Sequence, residues 1–88
     1  MFLHLGADLV VNVKDIIAIM DMDTSSTSKI TREYLKNAEK SNDVINVSFE
    51  DLPKSYVVCQ EKEKRKVYIS PISSVTLLKR ANKAGFLK

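Results

Sequence analysis

Apolar residues in the first quarter of the chain recur at every second position, which is the period of a half-buried strand. "FLHL" reads as a short strand, Gly6-Ala7-Asp8 as a turn, and "LVVNV" as a second strand with Leu9, Val11 and Val13 on one face. Together they predict a hairpin. "IIAIM", Ile16 to Met20, is apolar on both faces and β-branched at Ile16, Ile17 and Ile19. That pattern predicts a central strand, the most buried of the molecule. The period then lengthens. "DTSSTS" offers capping hydroxyls, and Ile30, Tyr34, Leu35 and Ala38 share a helical face, so a helix is expected from about Ser26 to Lys40. "VINVSF" alternates again, "EDLP" breaks the chain, and "KSYVVCQ" and "VYIS" are strands joined through the charged run "EKEKRK". Beyond Pro71, Ser73 or Ser74 is placed to cap a second helix, with Gly85 as its C′ residue. The expected order is β-β-β-α-β-β-β-α, an α+β fold of small twisted sheets with two helices, in one domain spanning residues 1-88.

Composition narrows the class. The 88 residues are 44% hydrophobic and 28% charged, an ordinary soluble balance. The longest apolar run is far too short to cross a bilayer, and the start lacks the features of a secretory signal, so a cytoplasmic protein with no membrane partner is expected. The charge is unevenly spread. Residues 64 to 88 hold seven of the 14 Lys/Arg and no acid, while all 11 Asp/Glu precede them. Such a split fits a polyanionic partner or head-to-tail packing between copies; it also fits a basic helix C-terminus offsetting its own dipole.

The residue types needed for catalysis are scarce. His4 is the only histidine and reads as a satisfied surface or interface imidazole rather than a general base. Cys59, the only cysteine, lies in a β-like run and reads as a buried free thiol. No CxxC, HxH or HExxH spacing exists. Asp21 and Asp23 could share one side of a strand end, but the helix start beside them makes a cap and a solvated strand end the simpler reading. The "TSSTS" run lacks the glycines and the GK[ST] of a phosphate loop. An enzyme, a cofactor, a metal and a small-molecule substrate are therefore not expected. The cations are more informative. Lys29, Arg32, Lys36 and Lys40 form a stripe on the first helix, with Glu33 and Glu39 beside it, and read as a solvated face or a phosphate track. Lys79, Arg80 and Lys83 lie away from Leu77, Leu78, Ala81 and Ala84 on the second, and Lys64, Arg65 and Lys66 are expected on a hairpin tip.

"FLHLG", "VKDIIAI", "TSSTSKITREYLKNAE", "LPKSYVV" and "VYISPISSVTLLKRA" together resemble the extracellular matrix regulator family, in its RemB branch, from Phe2 to about Ala81. The resemblance implies a DNA-binding transcriptional regulator of bacterial biofilm-matrix genes. The related RemA branch implies a ring of identical subunits, more than four here, with a likeness to LytTR-type DNA-binding domains. That branch uses an arginine just before its central strand; here Lys14, one position off, is the nearest cation. It also uses an arginine pair in the loop before the penultimate strands. Here that loop reads Asp51-Leu52-Pro53-Lys54-Ser55, and Lys54 is its only cation.

The expected partners are thus double-stranded DNA and further copies of the chain. The candidate phosphate contacts are Lys14, Lys54, Lys64, Arg65, Lys79 and Arg80. The alternative is an oligomeric protein-interaction adaptor whose acidic and basic faces pair with other proteins, without DNA.

Overall fold

In a computed structural model, residues 1–22, 33, 36–37, 40–41, 43–48 and 50–83 are described. The expected hairpin is present. Strands β1 (Phe2–Gly6) and β2 (Leu9–Asn12) pair antiparallel across Ala7-Asp8. Alternation sends Leu3, Leu5, Val11 and Val13 into the core and leaves Phe2, His4 and Val10 outside. Gly6 is required where it stands. Its φ is +120°, and a Cβ there would meet Pro71 Cγ at 3.0 Å.

A single 3-10 turn, Val13–Asp15, follows, and the Asn12 side chain accepts a hydrogen bond from the Lys14 amide at 3.1 Å. It leads into β3 (Ile16–Asp21), which belongs to a four-stranded sheet with β4 (Val44–Asn46), β5 (Ser55–Glu61) and β6 (Lys64–Ser70). The order is β3-β5-β6-β4, antiparallel except for the parallel β4–β6 pair.

This order corrects the expected role of Ile16 to Met20. β3 is an edge strand, and β5 is the most buried, with Ser55, Val57, Val58 and Cys59 all enclosed. An apolar run with no polar alternation shows that both faces of a strand favour contact, but says nothing about its lateral neighbours. The register of β3 also shifts between Ile16 and Ala18, so Ile17 is squeezed out as a bulge and is 49% exposed. Bulges are one way in which an edge discourages further strand pairing.

The helix expected from about Ser26 to Lys40 lies outside the described residues, apart from Glu33, Lys36, Asn37 and Lys40, which are exposed. The second expected helix is present as α1 (Ser74–Lys83). Ser73 is its cap: the hydroxyl accepts from the Thr76 amide at 3.3 Å and donates to Thr76 Oγ1 at 3.0 Å. The C′ position assigned to Gly85 lies outside the described residues. α1 packs Leu77 and Ala81 into the cluster formed by the hairpin and one sheet face, where Val57, Cys59 and Tyr68 meet Leu5 and Val13.

Two serines fasten these layers. Ser70 is fully buried; its hydroxyl donates to the Leu5 carbonyl at 2.6 Å and accepts from the Ile72 amide at 3.1 Å. Ser55 donates to the Ile72 carbonyl at 2.7 Å. Removing the Ser70 hydroxyl orphans a buried carbonyl and an amide together, so Ser70→Ala is expected to cost about 2 kcal/mol. Urea denaturation checks this, with exposed surface substitutions as controls expected to stay within about 0.5 kcal/mol.

Candidate nucleic-acid interface

The six candidate cations occupy three separate places. Lys54 follows Pro53 and precedes β5, so its backbone is held on both sides: its amide donates to the Ser70 carbonyl at 2.8 Å, and its carbonyl accepts from the Met22 amide at 3.0 Å. The side chain is exposed, and among the described residues no carboxylate pairs with it. A cation on a fixed backbone with a free head group keeps its field for an approaching anion.

Lys64 and Arg65 lie at the opposite end of the sheet, across from Glu61 and Gln60. The seven residues of β5 separate this end from Lys54, which is about 20 Å at ~3.3 Å per residue. Lys14, on its 3-10 turn beside the Ile16–Cys59 pair, is at this second end too. Lys79 and Arg80 are exposed on α1.

The expected hairpin tip is corrected. Lys64, Arg65 and Lys66 are the first residues of β6, and the turn is Lys62-Glu63, with Lys62 at φ 56°. Six consecutive charges hide the alternation that would otherwise have marked where the strands stop. Alternation decides what each cation meets. Lys64 and Lys66 share a face with Glu61 and Asp15, and Lys66 Nζ lies 3.1 Å from Glu61 Oε2. With Lys62 and Glu63 they line an open cleft of three acids and three lysines, an assembly that nearly neutralises itself. Arg65 points to the other face, where its Nε donates to the neutral Gln60 Oε1 at 3.1 Å. Of the charged run, Arg65 therefore retains the most uncompensated charge.

Other groups singled out by the sequence have structural roles. His4 Nε2 donates to the Ala7 carbonyl at 2.6 Å across its own hairpin turn. Asp21 accepts from Ser74 Oγ at 3.4 Å; Asp23 and the "TSSTS" run lie outside the described residues, as do Lys29 and Arg32. Among the described residues, no group of three His, Cys, Asp or Glu is placed to hold a metal. Nor is any helix there long and apolar enough to cross a membrane.

Cys59 is a buried free thiol. Burial pushes it up from 9.0 to about 12, with Glu61 and Asp15 adding to the effect. Burial and then Glu61, which accepts the phenol's hydrogen bond at 3.3 Å, push Tyr68 from 10.0 to about 12. Both groups hold protons in the folded chain that the unfolded chain releases. Their contribution to stability is complete below about pH 9 and is lost as the pH rises toward 12. The urea midpoint should fall across this window, and Cys59→Ala should flatten the slope; an unchanged slope would contradict the buried-thiol account.

One feature gave no sequence signal beyond a chain break. The loop before β5 exposes Glu50, Asp51 and Leu52 in succession, with Leu52 at 83% exposure. Where the resemblance implies an arginine pair, the loop presents acids and a bare leucine.

Comparison with known proteins agrees with the sequence reading. Residues 2–81 match the RemA-like family, described as extracellular matrix regulatory protein A-like. The chain is 41% identical over 81 residues to extracellular matrix regulatory protein B of Bacillus subtilis (strain 168), covering 92% of this chain and 90% of that protein.

Proposed function

The chain belongs to the RemA-like family of extracellular matrix regulatory proteins, and from that premise we propose that it is a DNA-binding transcriptional regulator of biofilm-matrix genes, working as a ring-shaped homo-oligomer of more than four subunits. The observation that carries this reading is Lys54: exposed, unpaired among the described residues, fixed at its backbone, and located in the segment where the family resemblance implies DNA contact. At the far end of the sheet Lys14 and Arg65 add exposed charge, while Lys64 is largely offset by the acids of its cleft. Lys79 and Arg80 add charge from α1. One copy holds too few phosphate contacts to bind tightly. Repetition around a ring raises the effective concentration of each site once the first has bound. A target in DNA also places the protein in the cytoplasm, and no catalytic role is assigned to it.

Self-assembly has independent support in the exposed apolar surface. Phe2 and Val10 stand on the outside of the hairpin at 69% and 52% exposure, Met1 at its end is 71% exposed, and among the described residues β3 has no strand on its outer side. Such surfaces favour cover by another subunit. A second reading, an adaptor that binds proteins and not DNA, is favoured by Glu50 and Asp51 standing in the loop where arginines were implied.

The proposal expects a mass above four subunits by light scattering. It also expects two unrelated duplexes of equal length to bind alike in fluorescence anisotropy, because phosphate contacts carry no sequence information. A monomer or dimer mass contradicts the assembly. A duplex whose anisotropy does not change favours the adaptor.

A further inference from the structure

Among the described residues, two surfaces of opposite sign are left without a partner of the other sign. α1 carries Lys79, Arg80 and Lys83 and no acid. Arg80 and Lys83 lie in the last turn, where they offset the helix dipole; Lys79 lies before it and is not explained in that way. While Ser74, Leu77 and Ala81 face the core, Val75, Lys79 and Lys83 recur every fourth residue on the far side, with Val75 at 60% exposure. This is a basic stripe with one apolar residue at its start.

The loop between β4 and β5 is its counterpart. Glu50 and Asp51 are exposed and lead directly to Leu52, the most exposed large apolar side chain among the described residues. The turn has local support, since Asp51 Oδ2 accepts from Ser48 Oγ at 3.0 Å. Among the described residues, the ion pair within the chain is Lys66–Glu61, which involves neither surface. Two acids beside a bare leucine match two lysines beside a bare valine, and among the described residues the chain does not bring the two together itself.

We propose that they meet between copies: the Glu50–Leu52 loop of one subunit docks on the Val75–Lys79–Lys83 face of α1 in the next. The inference rests on the homo-oligomer reading above and names its contact. Two different patches of one chain make a head-to-tail contact, which generates a ring where the rotation closes. Lys79 and Lys83 then answer the neighbour's acids first, and Arg80, off this stripe, remains the α1 cation open to DNA phosphate. Lys54, two residues beyond Leu52, is left at the seam between subunits.

Charge exchange tests this directly. One variant carries Glu50→Lys and Asp51→Lys, and the other Lys79→Glu and Lys83→Glu. Each alone sets like charges against each other and should weaken association roughly a hundredfold or more, so that light scattering reads the mass of dissociated subunits. Mixing the two restores both complementary contacts and should return assembled mass, equal to that of the wild type where the ring has an even number of subunits, and reassembly also requires both variants to be folded. The proposal is overturned if either variant stays assembled, or if both dissociate and the mixture does not reassemble. Unmoved masses would leave the acidic loop to a basic segment of another protein. A monomeric wild type overturns this contact and the assembly reading together. Charge-exchange complementation with no binding to DNA would support the contact while refuting DNA as the partner.

Discussion

Lys54→Glu is expected to abolish detectable binding to duplex DNA while leaving the oligomer intact, whereas Lys29→Glu should change binding by less than about tenfold, roughly 1.4 kcal/mol. The difference lies in the surroundings of each lysine. The Lys54 backbone is fixed by hydrogen bonds to Ser70 and Met22, and its exposed ammonium has no carboxylate partner among the described residues. On the proposed function, reversing that charge removes one phosphate contact per subunit and adds a repulsion per subunit, and both effects would multiply around the ring. Lys29 stands four residues before Glu33 in the sequence, a spacing at which a helix pairs the two and screens the lysine in advance. The assembly should survive Lys54→Glu, because in the proposed contact another acid next to Glu50 and Asp51 strengthens the pairing of this loop with the cations of α1. Anisotropy for binding and light scattering for mass separate the two effects. If the mutants bind alike, or Lys29→Glu is worse, the cations Lys29, Arg32, Lys36 and Lys40 and not Lys54 form the DNA face.

The second large effect concerns stability. Leu77 is fully enclosed against the hairpin and sheet, so Leu77→Ala should cost about 3 kcal/mol through lost burial and the cavity left behind. Val75, two residues earlier and 60% exposed, should tolerate Ala within about 0.5 kcal/mol in fold stability. Denaturation over a series of protein concentrations separates the protomer's own stability from the contribution of assembly. Should Val75→Ala weaken assembly while leaving the protomer's stability unchanged, the role of α1 is divided as proposed: one face for its own core, the other for a neighbour.

The sequence was most legible where local periodicity and burial coincide. The β1–β2 hairpin follows from alternation around Gly6-Ala7-Asp8, and α1 from a capping serine followed by Leu77 and Ala81 on one face. Neither depends on distant parts of the chain. Lateral order in the sheet does depend on them. Ile16 to Met20 is more apolar than Ser55 to Gln60, yet the latter is central, because β5 sits between β3 and β6. The charged run misled for a different reason: only the register, Glu61 against Lys64 and Gln60 against Arg65, shows which cations face acids.

The candidate site was legible as a set of residues but not as a place. The sequence singles out Lys14, Lys54, Lys64, Arg65, Lys79 and Arg80, and the fold spreads them over two ends of a sheet and a helix face. Lys54 gains weight from the hydrogen bonds that hold its backbone, which no residue count reveals. Lys64 loses it to the acids of the cleft it lines. The acidic loop escaped notice because "EDLP" looks like an ordinary break, and the exposure of Leu52 is a property of the fold.

The central claim is that an assembly of this chain holds DNA through its phosphates. An electrophoretic shift titration of wild-type protein against long duplex DNA, at low and at physiological salt, tests it most directly. Phosphate neutralisation by lysines repeated around a ring predicts a discrete shifted complex at low salt and an affinity lower by orders of magnitude at physiological salt. No complex at low salt, or an affinity that salt does not change, would contradict it.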